Sequence, residues 1–412
     1  MAARTRWVVL GGGFVAYMFD AMEIILLSLA LPAIRQNMHL TAAQGGLLAT
    51  ATLLGIGLSS VLAGYLADNF GRKKALIASL LTFGLFTSLL SVVPNFEVFL
   101  LFRFVAGFGL GGVWSVVSAY VVETWPADKR GRAAAFVLSS FPIGGAVAAV
   151  ASGLFLPDWR LMFLVAGLAV LVPVLIVALF FEESGEWSRE KAERATAGAD
   201  RPVSVAHIFT GPIRRTTILA TIVAALALTG WWGGSTWLPT YLTVERGIAP
   251  ATVALYMTVL NLGMFVGYNV FGVIADRIGR RPAIIISLLG VSVTLPLYAL
   301  TSNVTALMWF GPLFAFFAAF TGLFGSYIGE LFPTRVRATG AGFCFNVGRG
   351  VSAFAPLALG ALTAVIGLSG GLLICAGFFV AAGLVMFLLP RTGTETVTAP
   401  SLDTRTREGI RP

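Results

Sequence analysis

Apolar positions along this chain gather into twelve runs parted by short polar breaks, at residues 7–33, 44–68, 74–93, 97–122, 133–156, 160–182, 215–242, 250–275, 282–301, 305–331, 338–364 and 367–390. Each run is long enough to cross roughly 30 Å of hydrocarbon as an α-helix, an element that satisfies its backbone hydrogen bonds within one segment. The pattern predicts an all-α membrane protein of twelve transmembrane helices. The one long polar break, FEESGEWSREKAERATAGADRPVS from Phe181, mixes acids, bases and small residues and divides six runs from six. The expected organisation is a six-helix bundle at 1–182, a cytoplasmic linker at 183–214, a second six-helix bundle at 215–390 and a disordered cytoplasmic tail at 391–412.

The two sets of six runs also share sequence. GYLADNFGRKKAL from Gly64 returns as GVIADRIGRRPAI from Gly272, 208 residues later, and ETWPADKRG from Glu123 returns as ELFPTRVRA from Glu330, 207 later. Two motifs repeated at nearly one offset predict two pseudo-symmetric halves facing each other across a central site.

Composition agrees with a membrane chain: of 412 residues, 57% are hydrophobic and 11% charged, with a mean hydropathy of +0.88. The net charge of +9 suggests a nucleic-acid partner only until the charges are placed. Of 28 Lys and Arg, 23 fall at the termini or in the loops after even-numbered runs, and three, Arg35, Arg160 and Arg246, in the opposite loops. This asymmetry predicts both termini in the cytoplasm and assigns the basicity to topology, with the lipid bilayer as partner and no nucleic acid. The first run is too long for a signal-peptide core and no small-residue cleavage site follows, so it is expected to stay. Cys344 and Cys375 fall inside runs and are read as small buried apolar residues.

A few charges interrupt the apolar runs, where each costs roughly 3 kcal/mol or more and marks a functional candidate. Asp20 and Glu23 are three residues apart, on one face of the first helix, and suit the binding of a coupling proton. Arg103 opens RFVAGFGLGG, whose Gly107, Gly109, Gly111 and Gly112 let a neighbouring helix come close. Arg349 lies about a dozen residues into the eleventh helix, with Asn346 one turn earlier on the same face; its fork can hold a carboxylate bidentately. Trp114, Phe141, Trp231, Trp232, Trp237, Phe320, Phe324 and Tyr327 are candidate walls of an apolar central cavity, and Asn261 a polar contact within it.

The G-x-x-x-D-x-x-G-R pattern at Gly64 to Arg72, repeated at Gly272 to Arg280, resembles the signature of the major facilitator superfamily, and the likeness covers residues 7–390. It implies a carrier working by alternating access. Asp68, Arg72, Asp276 and Arg280, with Glu123, Arg130, Glu330 and Arg337 of the second repeated motif, are then expected to act as gate and scaffold at the cytoplasmic helix ends. In proton-coupled sugar and organic-acid members, an acid of helix 1 pairs with an Arg opening R-x-x-x-G-x-G-x-G in helix 4; the resemblance maps these to Glu23 and Arg103, with Asp20 as a second acid. Asp20, Glu23 and Pro32 match the D-x-x-D and Pro spacing of the aromatic acid/proton symporters. Residues 120–187, with YVVETWP, SSFPIGGAVAA and FFEESGEW, look like the sialate/proton symporters, which include lactate carriers. One departure is plain: many of these relatives carry an acid after the paired glycines of helix 4, where this chain reads Gly111-Gly112-Val113-Trp114. Coupling then falls on Asp20 and Glu23.

Organic-anion carriers of this superfamily commonly place an Arg where Arg349 stands. The resemblance therefore implies a monomeric inner-membrane symporter of a small organic anion, a monocarboxylate such as an aromatic acid, lactate or sialate, with protons as the second partner. The alternative is a proton-driven exporter of lipophilic compounds, which a greasy cavity with buried acids also suits. A sugar porter fits poorly, since the two Gln, Gln36 and Gln44, both fall outside mid-helix positions. No phosphate-binding loop, metal cluster or nucleophile with a base occurs, so an enzyme and an ATP-driven pump are not indicated, no cofactor is expected, and the energy source is a proton gradient.

Overall fold

The computed structural model of the protein describes residues 3–126, 129–183, 208–211, 213–333 and 336–391. The central part of the expected linker and the tail beyond 391 lie outside the described residues. The elements are all helices: α1 Ala3–Asn37, α2 Ala42–Phe70, α3 Arg72–Leu89, α4 Phe96–Thr124, α5 Arg132–Phe155, α6 Trp159–Phe180, α7 Ile213–Glu245, α8 Pro250–Ile278, α9 Arg280–Leu300 and α10 Val304–Glu330. The remaining apolar stretch, Gly340–Met386, runs 47 residues as one helical element. At about 1.5 Å per residue that is about 70 Å, more than twice a membrane thickness. It does not cross once: Gly367 sits at φ 71°, outside helical geometry, and breaks the stretch. We call residues 337–366 α11 and 368–386 α12, and the twelve predicted spans are all present.

Local chemistry marks where these helices begin. Thr41 and Gln44 form a reciprocal capping box at the start of α2, and Asn95, Asp158 and Asn303 each accept a backbone N–H two or three positions into α4, α6 and α10. All four caps fall at one end of the bundle. At the opposite end, called the basic end for Arg72–Lys74 and Arg277–Arg281, the two repeated motifs turn by the same device. Gly71 (φ 109°) closes α2 and opens α3, and Gly279 (φ 91°) does the same between α8 and α9. A side chain at either position would be strained, which explains the Gly-Arg pair in both repeats.

Small residues set the packing inside each set of six helices. A Cβ on Gly107 would lie 2.2 Å from the Thr52 carbonyl oxygen, and one on Gly109 2.6 Å from the Phe83 backbone nitrogen, so α4 is seated directly on α2 and α3. The two sets meet along α1 with α7, α2 with α11, and α5 with α8. At the capped end the contact is backbone to backbone: Gly46 of α2 abuts Pro356, Gly360 of α11 abuts Ala42, and the Trp237 indole donates to the Pro356 carbonyl at 3.0 Å. The capped end is therefore closed. Cys344 and Cys375 are buried and unpaired with one another, as expected.

Candidate functional site

Helix 1 delivers its two acids to different neighbours. Glu23, fully buried, meets Arg103 of α4, whose Nη1 donates to Glu23 Oε1 at 2.6 Å. Arg103 Nε donates to the Thr52 hydroxyl at 2.9 Å, and that hydroxyl in turn donates to the Leu48 carbonyl at 3.0 Å. The guanidinium thus has a carboxylate on one side and a neutral acceptor on the other, in surroundings without bulk water. Each partner of this pair keeps one buried atom unsatisfied, Glu23 Oε2 and Arg103 Nη2. Thr87 is close to Glu23 but outside hydrogen-bonding geometry.

Asp20 points elsewhere. It lines a cavity of about 30 Å³ with Tyr17, Trp114, Phe141, Trp232 and Arg349, which brings the acid of α1 opposite the lone deep Arg of α11. Arg349 lies over the Phe345 ring, 5.0 Å from its centroid, and the Tyr17 ring sits 4.9 Å from Trp114. Asp20 Oδ1 is buried without a hydrogen-bond partner, and Arg349 and Asp20 act on each other through space rather than through a close ion pair. Asp20 and Glu23 therefore serve two separate arginines and not one shared site.

Two further chambers adjoin this one. A chamber of about 40 Å³ is bounded by Ser28, Phe141, Trp231, Trp232, Ser235 and Asn261. One of about 20 Å³ lies against Ser28, Thr52, Arg103, Trp232 and Thr236. Ile24 and Trp232 border all three. Each volume has room for about one to four waters, since a water needs about 10–15 Å³. The centre is thus collapsed around the Trp232 indole.

Of the residues expected in the cavity, Trp114, Phe141, Trp231, Trp232, Asn261 and Arg349 are there. Tyr327 is a correction: it is buried on α10 with its hydroxyl donating to the Pro390 carbonyl at 2.9 Å, because a buried phenol needs an acceptor and the chain just past α12 supplies one. Trp237 is likewise used in closing the capped end, and Phe320 packs with its ring tilted about 60° to those of Phe324 and Phe379. Asn346 is half-buried, one turn before Arg349 on α11. Tyr17, Ser28, Thr52, Ser235 and Thr236 escaped the sequence reading. Tyr17 was within reach, three residues before Asp20 on the same face; the hydroxyl residues carry no local signal.

The repeated motifs at the basic end form matching ion pairs. Arg72 holds Glu123 at 2.9 Å, tying α3 to α4, and Arg280 holds Glu330, tying α9 to α10. Asp276 interacts electrostatically with Arg280. Each pair stays within its own set of six helices, so its geometry is that of an internal brace. The side chains of Asp68, Arg130 and Arg337 lie outside the described residues.

A doubled six-helix bundle with buried charges and a central cavity between its halves, closed at the capped end, defines a secondary membrane carrier rather than an enzyme. The chain belongs to the Major Facilitator Superfamily, whose family profile matches residues 12–255 and 220–408. It is 30% identical over 399 residues to a probable 4-methylmuconolactone transporter of Cupriavidus pinatubonensis, covering 94% of this chain and 90% of that one. It is 28% identical over 377 residues to the cis,cis-muconate transport protein of Acinetobacter baylyi, covering 90% and 91%. The fold is similar to that of the xylose transporter XylE from E. coli, with a TM-score of 0.77 at 16% identity, over 95% of this chain and 100% of that one.

Proposed function

We propose that the protein is a proton-coupled symporter of a small organic anion, a monocarboxylate, working by alternating access in the inner membrane with both termini cytoplasmic. The observation that carries this reading is the chamber shared by Asp20 and Arg349. An ionised Asp20 balances the charge of Arg349. A proton arriving at Asp20 removes that balance and leaves the Arg349 fork to a substrate carboxylate, so anion and proton enter together and the buried site carries no excess charge. Release of the anion returns Arg349 to Asp20 and the proton leaves. The Glu23–Arg103 pair runs the same exchange one helical turn away: a proton on Glu23 loosens α1 from α4, which lets the bundle rearrange. Asn346 and the aromatic walls orient the substrate body, and the pairs at the basic end, with Asp68, Asp276, Arg130 and Arg337, keep the helix ends in register and gate the cytoplasmic side.

Two relatives named as carriers of muconate and of a muconolactone support an organic-anion substrate. The test is calorimetry and proteoliposome uptake with a panel of carboxylic acids. Arg349→Ala is expected to lose roughly 2–5 kcal/mol of binding, and Arg349→Lys less, since it keeps the charge but not the fork. Uncharged amides of the same acids should bind poorly to the wild type. Wild-type affinity in Arg349→Ala would remove the organic-anion assignment and favour export of lipophilic compounds.

A further inference from the structure

The chamber beyond Trp232 differs in kind from the one that holds Asp20 and Arg349. Its polar lining groups are Ser28 of α1, Ser235 of α7 and Asn261 of α8, and among the described residues it has no charged side chain in its wall. Most buried hydroxyls in these helices are spent on their own backbone. Thr236 donates to the Trp232 carbonyl, Ser140 to Val137 and Ser152 to Ala149, each at 2.7 Å. Ser28 and Ser235 make no such bond and are only partly buried, so their hydroxyls are available to the chamber. The Asn261 amide nitrogen is held by the Met257 carbonyl at 2.8 Å, which points its oxygen toward α5, against Gly145. Two free hydroxyls and an amide on an otherwise apolar wall are the inventory of a site for a neutral group that both donates and accepts.

The two chambers also stand at a measurable separation. Asp20 and Ser28 are eight residues apart on α1, about 12 Å at about 1.5 Å per residue. With Arg349 at the level of Asp20, that rise is the scale of a ligand of one six-membered ring with a polar substituent at each end. Between the levels lie the faces of Phe141 and Trp232, which border both chambers.

Resting on the organic-anion reading above, we infer that Ser28, Ser235 and Asn261 form a distal subsite, so the preferred substrate is a flat monocarboxylate with a neutral hydroxyl or carbonyl at its far end. The carboxylate goes to Arg349, the flat body replaces the collapsed packing around Trp232, and the far polar group goes to the hydroxyl cluster. A second carboxylate at the far end is disfavoured, because that chamber's own wall holds no cation and Arg103 of the adjoining one is already bound to Glu23 and Thr52. This separates the protein from a relative named for muconate, a diacid.

The test uses the purified full-length transporter in nanodiscs with benzoate, 4-hydroxybenzoate and terephthalate as probes, titrated by calorimetry. Wild type should bind 4-hydroxybenzoate about tenfold more tightly than benzoate, the worth of one well-made buried hydrogen bond, and terephthalate more weakly than benzoate. Ser28→Ala combined with Ser235→Ala should erase the tenfold advantage and leave benzoate affinity unchanged, a pattern that general misfolding would not produce. Asn261→Leu should act in the same direction. Equal binding of benzoate and 4-hydroxybenzoate, or tightest binding of terephthalate, overturns the distal subsite while leaving the organic-anion reading standing. Failure of all three acids to bind overturns that reading and this inference with it.

Discussion

Replacing Glu23 by Gln keeps the side-chain volume and one acceptor for Arg103 but removes the negative charge. The Arg103 and Glu23 side chains are 0% and 1% exposed and their contact is 2.6 Å, so no solvent takes over the missing charge. Breaking one member of such a buried pair costs about 3–5 kcal/mol. The cost should fall unevenly on the two partners. In Glu23→Gln the guanidinium stays charged, because Arg does not release its proton in proteins. In Arg103→Met the remaining carboxyl can discharge itself by taking up a proton, so the penalty should lie below that of Glu23→Gln. The double variant holds no charge and should return to within about 1 kcal/mol of wild type, since a buried ion pair replaced by apolar atoms of similar size is often neutral. Denaturation of the four proteins in nanodiscs, followed by tryptophan fluorescence, closes the cycle. Transport should follow different rules: Glu23→Gln and the double variant should lose gradient-driven uptake while keeping substrate exchange. If the double variant costs the sum of the two single ones, Glu23 and Arg103 do not act as an energetic unit. A Glu23→Gln variant that still concentrates substrate at the wild-type rate removes Glu23 from coupling.

Gly107→Ala places a methyl 2.2 Å from the Thr52 carbonyl oxygen, a backbone atom that cannot swing aside, so α2 and α4 must part at a cost of about 1–3 kcal/mol; unchanged thermal stability would contradict the close packing. The two braces at the basic end should differ in weight. Arg72–Glu123 is 11% and 13% exposed and Arg280–Glu330 is 34% and 40%, so Glu123→Gln should destabilise clearly while Glu330→Gln stays within about 1 kcal/mol, and equal losses would refute the ranking. Glu245 at the end of α7 accepts from the Leu368 and Ser369 amides at 2.7 and 3.1 Å, capping α12 just past the Gly367 break. Glu245→Ala should cost about 0.5–2 kcal/mol and speed hydrogen exchange at those two amides; unaltered exchange would show that the cap is dispensable.

Much of this architecture was legible before any coordinates. Twelve runs of the right length allow only helices, because hydrocarbon offers no partner to an unpaired backbone group. The doubled GR motif announced the two halves, and the structure repays it with Gly71 and Gly279 in the same left-handed geometry and with two equivalent ion pairs. The same logic exposed Asp20, Glu23, Arg103 and Arg349, since a charge inside an apolar run is conspicuous whatever it touches. Even where α11 and α12 follow each other with nearly continuous hydropathy, the runs 338–364 and 367–390 put the break where the backbone angle of Gly367 makes the turn.

Partnership is what only tertiary structure decided. Asp20 and Glu23 share a helix face in the sequence, yet three residues at 3.6 per turn still leave about 60° between their directions. Because α1 has neighbours on several sides, that angle sends Glu23 to Arg103, 80 positions away, and Asp20 to the cavity of Arg349 across the molecule. The rotation of α1 that produces this split is set by glycines on other helices, Gly144 of α5 against the Met18 carbonyl among them. Thr52, Ser28 and Ser235 joined the site for the same reason. A hydroxyl in a membrane helix usually bonds its own backbone and leaves no trace in the pattern of residues, so its use by another helix depends on where packing turns it. Sequence periodicity names the residues that must be buried; the fit of twelve helices against one another determines which of them meet.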